Sequence, residues 1–123
     1  MSESHETRKS GKLIVKNFIK EKGYSIEKSN IVGCDIIMKK DKEIFFALIK
    51  TTEKTSFNYR WLEESQVKLC QEKKGNFLLF LVSNSKLEPK IYGLYDGNYL
   101  LKNIKNIVLH TYFDVSSQFM FEI

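Results

Sequence analysis

Asp35 and Lys50 are the two side chains whose types and spacing could act together. They sit in two stretches that read as strands joined by a tight charged turn. The first is Gly33-Cys34-Asp35-Ile36-Ile37-Met38, the turn is Lys39-Lys40-Asp41-Lys42, and the second runs from Glu43 to Thr52. The run from Ile44 to Ile49 carries no polar residue, which fits a central strand covered on both faces. A lysine at the end of such a strand has to find a partner, because desolvating its ammonium alone is costly. A turn centred on Asp41-Lys42 supplies one. It places Asp35 opposite Leu48, with Lys50 on the same face one diagonal step away. The chemistry of such a pair is charge chemistry, and at minimum it is a structural ion pair.

Several elements have to position that pair. From Thr7 to Lys22 the pattern is helical, with Leu13, Ile14, Phe18 and Ile19 on one face and Gly23 as the stop. Tyr24 to Lys28 alternates like a short strand, and Phe57 to Trp61 reads as a strand leading into a helix over Leu62–Lys74 that ends at Gly75. Leu62, Leu69 and Cys70 mark the buried face of that helix, and Gln66 falls inside the stripe. A polar residue there needs a partner, either a nearby backbone group or the site itself. Asn76 to Val82 is a second apolar strand, expected parallel to the lysine strand with the helix as crossover. Beyond it, Lys90–Tyr95 reads as a strand, Asp96-Gly97-Asn98 as a turn and Tyr99–Ile104 as a short helix or turn. Ile107–Phe113 and Gln118–Ile123 read as strands. The expected fold is α/β, a mixed β-sheet flanked by helices, in one domain over residues 1–123 with a frayed start at 1–6.

Hydrophobic content of 42% and aromatic content of 13% argue for a packed globule rather than disorder. The formal charge of +5 is compatible with a nucleic-acid partner, since lysines that neutralise phosphates release counterions. A lysine-rich solvated surface would give the same excess. Only Arg8 and Arg60 are arginines, which favours diffuse phosphate attraction over bidentate base reading. The candidate phosphate contacts are Lys12 and Lys16 on the first helix, Lys39, Lys40 and Lys42 at the hairpin tip, and Lys54 and Arg60 after the lysine strand. Cys34 and Cys70 are expected as free thiols in a reducing, cytoplasmic interior. His5 and His110 are isolated, so no zinc motif exists. No run approaches the length of a membrane span.

Gly33-x-Asp35 followed by Leu48-Ile49-Lys50-Thr51-Thr52 resembles the Gly-x-Asp and Glu-x-Lys-Thr-Thr motifs of the restriction-endonuclease-like PD-(D/E)xK nucleases. The resemblance runs from about residue 8 to 83. It departs at Leu48, which occupies the slot of the second acid, and at Lys12, near which the first helix often carries a further acid. The resemblance implies metal-assisted phosphodiester hydrolysis, with Asp35 a ligand to Mg²⁺ and Lys50 the catalytic cation. It also gives Gln66 a role, since in archaeal Holliday-junction resolvases among others the following helix brings a glutamine toward the active face. Some branches move the missing acid onto that helix, which makes Glu63, ahead of Glu64, a substitute metal ligand.

Three functions follow as expectations. The lead is a nuclease-fold protein with a degraded site that binds nucleic acid, DNA ahead of RNA, or a nucleic-acid-processing partner, without efficient cleavage. The second is an active Mg²⁺-dependent endonuclease with a migrated acid. The third is a protein–protein interaction subunit in which Asp35 and Lys50 form a structural pair. A homodimer is compatible with each.

Overall fold

Three small or branched residues one helical turn apart set how the chain starts. Gly11, Val15 and Ile19 are buried along the first helix, α1 (His5–Glu21), with Ile14 and Phe18 half-buried beside them. Leu13 lies off that stripe and is 59% exposed, contrary to the sequence reading, because the stripe turns through Gly11 and Val15 instead. In this computed structural model, residues 5–57, 59–84, 86–107, 110–115 and 119–121 are described.

Five strands form the main sheet: β1 (Ser25–Lys28), β2 (Ile36–Lys40), β3 (Glu43–Thr51), β5 (Phe77–Ser83) and β6 (Lys90–Asp96), in the order β1-β2-β3-β5-β6. The hairpin β2–β3 has the expected register, with Ile36 opposite Ala47 and Lys40 opposite Glu43. β3 and β5 are parallel, as expected of strands joined through a crossover helix, α2 (Glu64–Lys73). All seven residues of β5 are buried, which is why that strand reads as an unbroken apolar run.

Side chains alternate between two cores. Phe45, Ala47 and Ile49 of β3 pack with Val15 and Ile19 of α1, together with Leu78, Phe80 and Val82 of β5. Leu48 points the other way, into a core of Leu69 and Cys70 of α2, Leu79 and Leu81 of β5, and Leu100 of α3 (Gly97–Asn103). That second face is also covered by a small sheet ordered β4-β8-β7, built from β4 (Tyr59–Leu62), β7 (Lys105–Ile107) and β8 (His110–Asp114).

Three boundaries differ from the sequence reading. Leu62 ends β4, paired with Thr111, instead of opening the helix; Glu63 is extended (φ −75°, ψ 158°) and caps α2. The stretch read as one strand over Ile107–Phe113 is a hairpin in which Lys105–Ile107 pairs with His110–Tyr112. In the last stretch Phe119 makes a single parallel bridge to Leu94 instead of a strand; 116–118 and 122–123 lie outside the described residues. Both cysteines are free thiols, and among the described residues no helix is long and apolar enough to cross a membrane.

Candidate functional site

The sheet frays at one end, and the functional candidates meet there. Pairing of β2 with β3 stops at Ile36 and Ala47, so the N–H of Ile49 has no strand carbonyl opposite it. Asp35 fills that gap. Its Oδ2 accepts the Ile49 N–H at 2.8 Å, while its own N–H donates to the Ala47 carbonyl at 2.8 Å. The carboxylate therefore stands in for the next rung of the ladder.

The chain reaches Asp35 through Gly33, whose φ of +107° is a conformation other residues resist. A Cβ at Gly33 would lie 2.6 Å from the Ser65 carbonyl oxygen and 3.1 Å from Leu69 Cβ, so glycine also lets this loop press onto α2. On the opposite face, α1 approaches as closely. A Cβ at Gly11 would overlap the Cγ2 of Thr51 at the end of β3. That contact brings the next residue of α1, Lys12, to the sheet end, where its Nζ lies 3.7 Å from Asp35 Oδ1.

Lys50 follows the alternation of β3, with Leu48 on the α2 side and Ile49 on the α1 side. It points toward α2. Burial pushes the Lys50 ammonium below the ordinary lysine range, and the nearby charges of Glu63 and then Asp35 pull it partly back. The expected proximity of Asp35 and Lys50 is thus present, and Glu63 is the second acid whose charge Lys50 feels.

Gln66 is used locally. Its Oε1 accepts the backbone N–H of Glu63 at 2.9 Å, completing one half of a capping box at the start of α2. Of the two partners open to it from sequence, a nearby backbone group is the one found.

The donor set does not fit Mg²⁺. That ion demands oxygen ligands in near-octahedral geometry, supplied by one or two carboxylates and water. Leu48, in the slot of the second acid, is an apolar side chain only 5% exposed. One oxygen of Asp35 is taken by Ile49, and the other faces an ammonium. Among the described residues, no three His, Cys, Asp or Glu side chains converge where a metal could be held.

The basic candidates separate into two places. Lys12 and Lys16 line a groove of about 540 Å³ between α1 and β1, floored by Ile26 and Ile36, with Asp35 at its margin. Lys20 and Lys28 line it too and were missed; the spacing of Lys12, Lys16 and Lys20 at successive helical turns was the available signal. Lys39, Lys40 and Lys42 belong to the hairpin tip, at the other end of the strands. By strand rise, Lys39 and Lys40 are about 13–17 Å from Asp35 along β2, and the tip is about 20–26 Å from Lys50 along β3. They do not join the site. Lys39 pairs with Glu27 at 2.9 Å, and Lys40 donates to the Lys22 carbonyl at 2.9 Å while lying over the Tyr24 ring. Strand direction alone requires this separation, since Asp35 precedes β2 and Lys50 is the last residue but one of β3. Lys54 is exposed just after β3, at the Lys50 end; the Arg60 side chain lies outside the described residues.

A mixed sheet in which an antiparallel hairpin feeds a parallel strand through a helix is the restriction-endonuclease-like fold. The solved structure of Hjc, a Holliday junction resolvase from the archaeal hyperthermophile Archaeoglobus fulgidus, is similar to this chain, with a TM-score of 0.54. The identity is 10%, over 85% of this chain and 83% of that one, so the likeness is one of fold. Residues 7–94 match the family described as Protein NO VEIN, C-terminal, and the chain belongs to that family. No match was found among curated proteins.

Proposed function

We propose that this chain is a nuclease-fold domain that binds nucleic acid, DNA ahead of RNA, without cutting it efficiently. The observation that supports this best is the state of Asp35. Its carboxylate caps the Ile49 N–H and faces Lys12, and buried Leu48 offers no second oxygen for a divalent ion. Lys12 and Lys50 stand at the sheet end against the carboxylates of Asp35 and Glu63. The surplus positive charge comes from Lys16, Lys20 and Lys28 beside Lys12, ammonium groups that attract phosphate oxygens without a metal.

The test is a gel assay with labelled DNA, single-stranded, duplex and branched, and matching RNA, in Mg²⁺ or Mn²⁺ and in chelator. The expected result is intact substrate, complexes that weaken steeply with salt, and binding indifferent to the chelator. Robust cleavage abolished by Asp35→Ala and by Lys50→Ala would overturn the proposal. One observation favours the active nuclease as a second reading. Glu63 acts electrostatically on Lys50, so cleavage that also fell with Glu63→Gln would support a migrated acid.

A further inference from the structure

The lysine groove between α1 and β1 lies off the sheet end where Asp35 and Lys50 meet, and its shape restricts what can enter. We infer that this groove holds the sugar-phosphate backbone of a single nucleic-acid strand, along the track Lys12, Lys16, Lys20 and Lys28. The inference rests on the proposed nucleic-acid function and adds where the strand lies and in which form it is bound.

Charge is the first argument. α1 carries five basic side chains against two acidic ones, and three of the five, Lys12, Lys16 and Lys20, project into the groove. Successive lysines in that row are about 6 Å apart along the helix axis, a spacing that an extended strand's phosphates can follow. Lys28 faces them from β1. Among the described residues Lys16, Lys20 and Lys28 form no ion pair, whereas Lys39, on the neighbouring strand, is neutralised by Glu27. The groove therefore keeps its charge for a ligand.

Size and lining are the second argument. A space of about 540 Å³ is that of a small-molecule pocket and matches a backbone segment with a base or two rather than the bulk of a duplex. Ile26, Ile36 and Tyr24 line it, giving apolar surface against which a base can rest without sequence preference. Lys12 links the groove to the sheet end, since its ammonium lines the groove and faces Asp35.

The experiment measures fluorescence-anisotropy binding of a labelled mixed-sequence 20-mer, single-stranded and duplex, to the full chain over a salt series. It compares wild type, the groove variant Lys16→Glu/Lys20→Glu/Lys28→Glu, and the control Lys42→Glu/Lys68→Glu/Lys102→Glu, all checked for folding by thermal melting. Wild type should bind single strand at least tenfold tighter than duplex. The groove variant should lose at least tenfold in affinity, and its log–log salt slope should fall in magnitude by about 2, as expected for three lost single-strand contacts. The control should change affinity less than threefold. Equal loss in both variants, no loss in the groove variant, or tighter binding to duplex would overturn the groove while leaving nucleic-acid binding intact. Absence of any binding by wild type at low salt would overturn the proposed function and this inference together.

Discussion

Asp35 and Lys50 affect the stability of the fold in opposite ways. Asp35 costs little to keep because it completes a backbone ladder, so Asp35→Ala should lower unfolding stability by about 1–3 kcal/mol, the cost of leaving the Ile49 N–H unpaired. Asp35→Asn keeps an acceptor oxygen and should recover most of that loss in urea titrations. If Asn behaves like Ala, the carboxylate's charge toward Lys12 and Lys50 matters more than its acceptor. Lys50 is the opposite case. Its folded-state affinity for a proton is lowered chiefly by burial, so below the unfolded lysine value of 10.5 the unfolded chain holds the proton more readily. Stability contributed at this position therefore rises with pH as the pH climbs from the depressed folded value toward 10.5. Lys50→Met should be more stable than wild type at neutral pH, with the gap closing as pH approaches 10.5. A gap that widens with pH would refute the assignment of burial as the main cause. Cys70, whose thiol burial raises to about 11, changes stability in the other direction over that range, but equally in both proteins.

At the level of elements, α1 is held against the end of β3 by a residue with no side chain. Glycine inside a helix costs roughly 0.5–1 kcal/mol relative to alanine, so its presence at Gly11 needs a cause, and the Thr51 methyl supplies it. Gly11→Ala should be destabilising in spite of its better helix propensity, since overpacking costs about 1–3 kcal/mol. It should also lift Lys12 from Asp35 and weaken nucleic-acid binding. Thr51→Ser removes the obstructing methyl and keeps the hydroxyl. In a double-mutant cycle it should restore both stability and binding to the Gly11→Ala protein; additive losses would show that the two residues do not meet.

Across the whole molecule, burial is uneven. β5 is buried along its entire length between two cores, while β1 is an edge strand with one half-buried and three exposed residues. Amide exchange should therefore be slowest in β5 and in the part of β3 that pairs with it, opening only with global unfolding. β1 should exchange earlier. That edge forms one wall of the lysine groove, so a bound single strand should slow exchange in β1 and in the middle of α1 without altering β5. Protection spread equally over the whole sheet would point to general stabilisation rather than occupancy of the groove.

The sequence by itself determined the hairpin and its register, because an apolar run of fixed length and a short charged turn leave few ways to pair without exposing the core. It also determined the parallel step to β5, since a helix between two buried strands crosses over in one hand. The proximity of Asp35 to Lys50 follows from that register. Tertiary structure decided the rest. Periodicity shows that Gln66 faces inward but not that the Glu63 N–H is the group it meets, a choice set by where β4 stops and α2 begins. Nor does any local pattern show that Lys12 reaches across to Asp35 from another element, which depends on how closely α1 sits on Thr51. The division of the lysines into a groove and a distant hairpin tip is likewise a matter of strand direction and layer. Charge acts through space, and distances in space between residues far apart in the chain exist only once the layers have packed.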